Sequence, residues 1–449
     1  MQASTNEAYQ LLHEGAQAFA DIEQHGIHVD VEYCKNIESH LARKIKRIHA
    51  QIQQDEVTVK WKEKYRSKTN FGSQDQLADI LFTHLGHTPL EFTPTGKPAT
   101  TQAALEGLKI PFVERYIELG KLKAAKNTFL RNIMRETVEG KLHPFFHLHT
   151  VTTYRSSSSN PNFQNFPKRD KTIQRMIRRA IKATPGYQIL EVDFKGAEVC
   201  ISECYHHDPT LREYIVDPAR DMHRDSAALC YKLPSDEVTK MTRFAGKSAW
   251  VFAQFYGNWY AACGRSLWDY IDELSLKTKS GVPLKEHLVS QNIKSYTSFE
   301  RHLKEAERVF WEDWFPVYTE WKEKWVKRYN RRGWMKTLTG FYCSGVLKRN
   351  EIINYPVQGT SFHCLLWCLT RINEQLHERE LKTRIMGQIH DSIVFDLCPQ
   401  ERMEVLGLVK QVIEVDLLAH WNWINVPMSV EAELSPVDGT WYDMEEIAL

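Results

Sequence analysis

The feature that most constrains the fold is a set of short apolar segments, far apart in the chain, that run into aspartates. Ile189, Leu190 and Val192 make a short buried-strand pattern ending at Asp193. Arg384 to Leu397 reads as a hairpin of two apolar strands with His390-Asp391 at its turn. A strand end and a hairpin turn can meet across adjacent strands, so two carboxylates distant in sequence could share one site.

Around these strands the patterning is mostly helical. One helical pattern runs from about Ala8 to Gln24 and ends at the turn His25-Gly26, with an extended stretch Ile27-His28-Val29-Asp30 after it. Ile37, Leu41, Ile45, Ile48 and Ile52 recur as one apolar face of a long helix. Ser73 is placed to cap a further helix with Leu77, Ile80 and Leu81 on its apolar face. The segment 93–101 reads as a loop, and so does 154–167 with its serine run. Helical patterns then dominate to about Lys327; Trp311, Trp314, Trp321 and Trp325 lie within them at helical spacing, the pattern of core aromatics rather than a cofactor box.

A chain of 449 residues exceeds one ordinary core, so two or three packed subdomains are expected. No run of about 18 apolar residues exists to span a bilayer. The amino terminus is polar and lacks a signal-peptide pattern, which makes the cytoplasm the default compartment and gives no membrane partner. Nine scattered cysteines suggest neither structural zinc nor a disulfide scaffold; Cys200/Cys204 and Cys364/Cys368 read as buried thiols in helices. Net charge is +1, so a nucleic-acid partner requires basic charge segregated on one surface. Local clusters occur at Arg43, Lys44, Lys46 and Arg47, at Lys121, Lys123 and Lys126, and at Arg175, Arg178, Arg179 and Lys182; solvated helix faces also explain such clusters.

Four segments carry the chemistry: Val192-Asp193-Phe194-Lys195-Gly196-Ala197-Glu198; Arg243-x-x-x-Lys247 with Phe252 and Tyr256-Gly257; Asn354-Tyr355-Pro356-Val357-Gln358-Gly359-Thr360; and Gln388-Ile389-His390-Asp391. In this order they resemble motif A, motif B, the QG-containing palm helix and motif C of the family A, bacterial polymerase I-like, DNA polymerases. Thr153-Tyr154-Arg155-Ser156-Ser157 through Pro161-Asn162-Phe163-Gln164-Asn165-Phe166-Pro167 is similar to the family's TGRLSS…PNLQNIP signature. Asn70-Phe71-Gly72-Ser73 with Gln76-Leu77 resembles its thumb motif, and Arg178-Arg179-Ala180 with Pro185-Gly186-Tyr187 its approach to motif A.

The resemblance implies an α+β right-hand polymerase fold, an antiparallel palm sheet with helical thumb and fingers. The expected bounds are a palm entry segment at 1–31, a thumb at 32–126, palm at 127–207, fingers at 208–348 and palm again at 349–449. The implied activity is template-directed addition of deoxynucleotides to a primer terminus, with primer–template DNA and deoxynucleoside triphosphates as partners. Such nucleotidyl transfer uses two divalent metals about 3.5–4 Å apart. Magnesium, with manganese as a substitute, suits two aspartates plus substrate oxygens. Asp193 and Asp391 are the expected catalytic metal ligands, with the Phe194 backbone carbonyl as an additional one; taken singly, each aspartate is an ordinary cap or turn residue. Arg243 and Lys247, four apart on one helical face, would meet the triphosphate. By the resemblance, His223 contacts phosphate, Phe252 and Tyr256 meet the sugar and base, and Glu198 is the sugar gate that excludes a ribose hydroxyl. Arg155, Asn354 and Gln358 match positions that read minor-groove acceptors common to all base pairs, although Asn354 is equally readable as a helix cap. His390 is expected near the primer terminus.

Three departures matter. The common motif B places Phe four and Tyr eight residues after Lys; here they stand five and nine after. At about 100° per residue, Phe252 would lie roughly 140° around an ideal helix from Lys247. A π-bulge or local irregularity is therefore expected between them; the spacing resembles a phage branch of the family. Ser392 stands where motif C often has glutamate, and Phe341 replaces an arginine after Thr337-Leu338-Thr339-Gly340. Asp21-Ile22-Glu23 has the form of a proofreading motif but reads as helix surface charge, so proofreading is expected from a separate exonuclease, and a processivity protein is a possible further partner. The competing readings are a single-subunit RNA polymerase or reverse-transcriptase-like enzyme, a catalytically silent DNA-binding accessory protein, and a metal-dependent nuclease built on His390-Asp391.

Overall fold

The computed structural model describes residues 2–448 except 94 and 169, and at 103 only the backbone. Pro94, inside the expected 93–101 loop, thus lies outside the described residues. The core of the molecule is a five-stranded, wholly antiparallel sheet in the order Glu445–Ile447, Val430–Leu434, Gln188–Phe194, Ser392–Leu397, Arg384–Ile389. Every residue of the central strand Gln188–Phe194 is buried except the partly exposed Asp193. Burial on both sides explains why its sequence is a nearly continuous apolar run rather than an alternation. The expected hairpin is present, with His390 in the left-handed region at its turn (φ 50°).

Two long helices pack on this sheet and on one another: Thr5–His25 and the 30-residue Arg349–Glu378. The first begins earlier than its apolar pattern suggests because Ser4 forms a capping box: its side chain accepts from the Glu7 N–H, and the Glu7 carboxylate accepts from the Ser4 N–H. Gly15 lets it lie flush, since a Cβ there would stand 2.8 Å from Leu366. The helix Val31–Gln54 is capped by Asp30 and buries Leu41, Ile48 and Ile52, as its spacing requires. Ser73 caps Gln74–Ala78 through the Gln76 N–H.

The buried apolar side chains form three clusters. The largest joins the sheet to the amino-terminal helices; a second spans Leu211 to Tyr318; a third gathers Val326, Tyr329, Met335, Cys343, Ile352 and Ile353. Trp311, Trp314, Trp321 and Trp325 pack against the second and third clusters, as core aromatics do. All nine cysteines are buried and unpaired, and burial pushes the Cys200 and Cys204 thiols up to about 12. Among the described residues no helix is long and apolar enough to cross a membrane.

Three sequence expectations need correction. The 154–167 segment is not all loop: Ser157–Ser159 is a strand paired with Phe145–His147, and Phe163–Asn165 is a 3-10 turn. Side-chain hydrogen bonds build it, with Ser158 buried against Asn162 and the Gln164 N–H, and His147 against Ser159. Glu23 is not free surface charge, because its carboxylate accepts from the Phe146 N–H at 2.6 Å. The basic clusters are only partly free: Lys44 pairs with Glu118, Lys121 with Asp170, Lys126 with Glu38 and Lys182 with Asp30, whereas Arg43, Lys46 and Arg47 form an exposed face with no ion pair among the described residues. Arg178 is itself buried, its guanidinium 3.8 Å from the Trp441 ring centroid and 3.8 Å from Glu191.

Asp396 ties the hairpin to the amino-terminal helix and to the segment before the central strand. It is buried and accepts from the Thr184 N–H (2.9 Å), from the Thr184 hydroxyl and from His25 Nε2 (3.1 Å). Burial raises its carboxyl, but the hydrogen bonds from His25 and Thr184 outweigh burial and hold it below the ordinary carboxylate range. A depressed carboxyl stabilises the fold above its unfolded pKa, and that contribution is lost as pH falls through the folded value. Asp396→Asn should cost about 1–3 kcal/mol at neutral pH. In urea unfolding, the gap between wild type and variant should narrow below about pH 4; a gap constant with pH would contradict this account.

Candidate active site

The register of the sheet decides which acidic groups meet. Asp193 stands opposite Ser392 on one neighbouring strand and opposite Glu431 on the other. Just beyond the pairing, the Phe194 N–H donates to the Asp391 carbonyl at 3.1 Å. Asp193, near the end of its strand, and Asp391, in the turn that leads into the neighbouring strand, therefore lie at one end of the sheet. Burial raises the Asp193 carboxyl to about 6; Lys168 opposes that rise, and the negative charges of Asp391, Glu191 and Glu431 add to it. The Phe194 side chain is buried, so only its backbone can face the site.

After Asp193 the chain turns at Gly196 (φ 62°) and enters the helix Ala197–His206, placing Glu198 in its first turn. Glu198 accepts from the Tyr256 hydroxyl at 2.6 Å and from Arg155 Nη1 at 3.4 Å; Arg155 Nη2 lies 3.8 Å from Asp391. Burial raises the Glu198 carboxyl, the Tyr256 hydrogen bond opposes this, Asp391 adds to it and Arg155 works against it. Arg155 is brought close by Gly359, where a Cβ would stand 3.0 Å from the Thr153 carbonyl.

The expected irregularity in motif B is a π turn over Gly246–Val251, between the α-helical Lys240–Ala245 and Phe252–Phe255. It absorbs the extra residue. Lys247 Nζ lies 5.4 Å from the Phe252 ring centroid, and the His223 ring 5.9 Å from it. Gly246 packs this helix onto Met222–Tyr231, a Cβ there standing 2.9 Å from the His223 carbonyl and from Ala227. Asp221 caps Met222–Tyr231 through the His223 and Arg224 N–H groups and also accepts from Arg243 Nε at 2.6 Å. Burial, aided by Arg243 and Lys247 and opposed by Asp221, lowers His223 to about 4; its buried Nδ1 has no hydrogen-bond partner among the described residues.

Glu198, Phe252, Tyr256, Asn354 and Gln358 line one cleft, and Phe252 and Tyr256 leave 40% and 47% of their surface open to it and to solvent. Asn354 lies well inside Arg349–Glu378, so it is not a cap; its Nδ2 donates to the Tyr256 carbonyl at 3.3 Å. Gly257 (φ 85°) follows, where a Cβ would stand 2.5 Å from Asn350. His390 is exposed at the hairpin turn, with its backbone carbonyl held by the buried Gln388, 2.6 Å away. Desolvation of its ring on the side facing the protein, with Arg155 next, lowers the His390 imidazole.

Both motif departures are turned inward. Ser392 is buried, 3.1 Å from Glu191, whose other oxygen accepts from Trp441 Nε1 at 2.8 Å. Phe341 is buried and stacks on His363 at 3.8 Å between centroids. Residues that sequence reasoning missed are Lys168, Glu191 and Glu431. Lys168 adjoins the Phe166-Pro167 end of the recognised signature, and Glu191 and Glu431 become visible only once the register is known.

The donor set has a definite chemistry. Among the described residues no group of three or more His, Cys, Asp or Glu side chains is arranged to hold a metal ion. Two carboxylates, one from a strand end and one from the adjoining hairpin turn, fit a hard cation completed by water and phosphate oxygens, not a closed structural zinc site.

Comparison with known proteins agrees with this geometry. The profile of DNA polymerase family A matches residues 31–442. The chain is similar to a DNA polymerase of Bacillus phage SP01, 28% identical across 89% of this chain and 47% of that protein. It is equally similar to the thermostable DNA polymerase I of Thermus aquaticus, 28% identical across 88% of this chain and 44% of that one. It thus spans about half the length of these curated relatives. Its fold is that of the POL domain of Pol1 from M. smegmatis, solved in complex with DNA primer-template and dNTP: TM-score 0.74 at 22% identity, covering 96% of this chain and 70% of that one. The antiparallel sheet with its helical additions is therefore the right-hand polymerase fold, and the chain belongs to DNA polymerase family A.

Proposed function

We propose that this chain extends a primer along a DNA template, joining deoxynucleotides by attack of the primer 3′-hydroxyl on the α-phosphate with release of pyrophosphate. The observation that carries the reading is the convergence of Asp193 and Asp391 at one end of the sheet, fixed by strand register and by the Phe194–Asp391 backbone hydrogen bond. Divalent metal use is general in the family; magnesium, with manganese able to substitute, is the proposed ion. Two such ions, held by Asp193, Asp391 and the Phe194 carbonyl, would activate the hydroxyl and stabilise the leaving pyrophosphate. The raised Asp193 carboxyl fits this role: burial is the main cause and the neighbouring carboxylates add to it, and a shared cation would offset both.

The remaining residues position substrate. Lys247 and Arg243, on the helix that carries Phe252 and Tyr256, offer cations to the triphosphate, with His223 beside them as a neutral imidazole that can donate to a phosphate oxygen. Phe252 and Tyr256 form the apolar wall against sugar and base. Glu198, held in place by the Tyr256 hydroxyl, occupies the space that a 2′-hydroxyl would need. Arg155, Asn354 and Gln358 are placed for the minor-groove edge of the new pair, and His390 for the primer terminus. The subdomains proposed are thumb at 32–126, fingers at 208–348, and palm at 1–31, 127–207 and 349–449. The second hydrophobic cluster, Leu211 to Tyr318, supports the fingers as a separate body. The proposed compartment is the cytoplasm, that of the host if the chain is phage-borne.

Asp193→Ala and Asp391→Ala each remove several kcal/mol of transition-state stabilisation, about a thousandfold in rate. Primer extension with magnesium and four deoxynucleotides should fall accordingly, while fluorescence anisotropy shows most primer–template binding retained. Extension that survives either substitution sinks the two-metal reading. Removing magnesium with EDTA should stop extension without lowering the melting temperature appreciably, because among the described residues no His, Cys, Asp and Glu cluster is arranged as a structural metal site.

Glu198→Ala should reduce discrimination against ribonucleotides by about a hundredfold, and Tyr256→Phe, which only frees Glu198, by up to about tenfold. Single-nucleotide incorporation with dNTP and rNTP measures both. A wild-type chain that prefers ribonucleotides would favour the RNA polymerase reading instead.

A further inference from the structure

We infer that Tyr154 and Phe341, two departures from the family pattern that touch one another, act as one unit that positions Arg155 and, through it, the sugar gate Glu198. The inference rests on the polymerase reading above, which supplies the reaction that Arg155 and Glu198 serve.

Tyr154 stands where the TGRLSS signature has glycine, and Phe341 stands where an arginine usually follows the Thr337-Leu338-Thr339-Gly340 segment. Tyr154 has φ 55°, and no other described tyrosine, phenylalanine or tryptophan has a positive φ. A glycine takes the left-handed region without cost, whereas a bulky residue stays there only where its surroundings over-determine it. The Tyr154 N–H donates to the Val151 carbonyl at 2.8 Å, a turn that does not by itself call for tyrosine. The reason must lie in what the ring touches.

The partner ring comes from the loop of the hairpin Trp334–Lys336/Tyr342–Ser344. The Tyr154 and Phe341 centroids are 5.1 Å apart, and Phe341 also stacks on His363 of the helix Arg349–Glu378. The chain on both sides of Phe341 is fastened as well. The Thr339 hydroxyl lies 2.6 Å from His363 Nδ1, and the Cys343 thiol donates to the Thr152 carbonyl at 3.4 Å. Burial lowers the His363 imidazole to about 3, so Phe341, 4% exposed, faces a neutral ring. A guanidinium in its place would be a buried charge beside a group that cannot neutralise it. Each departure thus suits the other: Phe341 gives Tyr154 its packing, and Tyr154 helps to cover Phe341.

Arg155 is the next residue. Its guanidinium reaches both Glu198, at 3.4 Å, and Asp391, at 3.8 Å. The contact with Glu198 is already longer than most hydrogen bonds, so a small backbone shift at residue 154 would break it. Neither Tyr154 nor Phe341 lines the cleft of Glu198, Phe252 and Tyr256. Both are therefore positioning residues that act through Arg155.

Single-nucleotide incorporation by the full chain, with dNTP and with rNTP, tests this. The ratio of the two is the informative readout, because a smaller folded fraction lowers both rates equally. Phe341→Leu and Tyr154→Leu keep apolar volume but lose the ring, and each should reduce discrimination against ribonucleotides about fivefold. The double variant should also lose about fivefold rather than about twenty-five-fold, since the second substitution removes a contact already gone. Tyr154→Phe, which keeps the ring, should stay within about twofold of wild type. In a chain carrying Arg155→Ala, adding Tyr154→Leu should change the ratio no further. If Phe341→Leu does not fold, Tyr154→Leu against Tyr154→Phe, with and without Arg155→Ala, carries the test. Ratios unmoved by the leucine variants, multiplied losses in the double variant, or a further loss beyond Arg155→Ala each overturn the inference while the polymerase reading stands. A wild-type chain that extends no primer overturns that reading and this inference with it.

Discussion

The pairing of Gln188–Phe194 with Ser392–Leu397 is the constraint from which the rest of the molecule follows. Side chains alternate along a strand, so a slip of one residue would exchange the buried and site-facing sets on both strands. The apolar runs Ile189-Leu190 and Ile393-Val394-Phe395, buried on both faces, fit either phase, so the register is set by the polar pairs a slip would break: Glu191 with Ser392 and Trp441, and Asp396 with Thr184 and His25. Thr184, His25 and Asp396 pin the far end of the hairpin, and Gln388 braces its turn through the His390 carbonyl. The position of Asp391 is thereby set by contacts on every side of its strand, none of which involves the reaction itself.

Directly beneath the site lies a buried polar group of a different kind. Glu191 is 5% exposed, one same-face position along from Asp193, and is surrounded by Ser392, Trp441 and Arg178. A buried carboxylate without such partners would be strongly unfavourable. With them, it adds a fixed negative potential behind Asp193. Ser392, read from sequence as a lost acid, is one of the groups that hold this one.

How much was legible in the sequence depended on the range of the interaction involved. The strand ending at Asp193, the hairpin at His390-Asp391 and the helix Val31–Gln54 follow from periodicity, a local property, and all are present. The motif B irregularity was legible because a helix has fixed geometry, so a one-residue offset has few structural solutions. The Ser157–Ser159 strand was not legible: serine carries little strand preference, and the pairing is set by Phe145–His147 and by side-chain hydrogen bonds. Ion pairing was equally hidden. Lys121 meets Asp170 and Arg178 meets Glu191 only after folding, so a cluster of basic letters could not be separated into used and unused charge.

The π turn at Gly246–Val251 has a consequence for comparing this chain with others. Widening a single turn lets the segment before Lys247 and the segment after Phe252 each keep its own rotational setting while the polypeptide between them is longer by one. Site-facing and core-facing positions on the two sides are thus decoupled, and an insertion that would otherwise rotate half the helix out of place is locally contained. Substitutions transplanted from shorter versions of this helix must accordingly be renumbered by one after Lys247, or they will land on the wrong face.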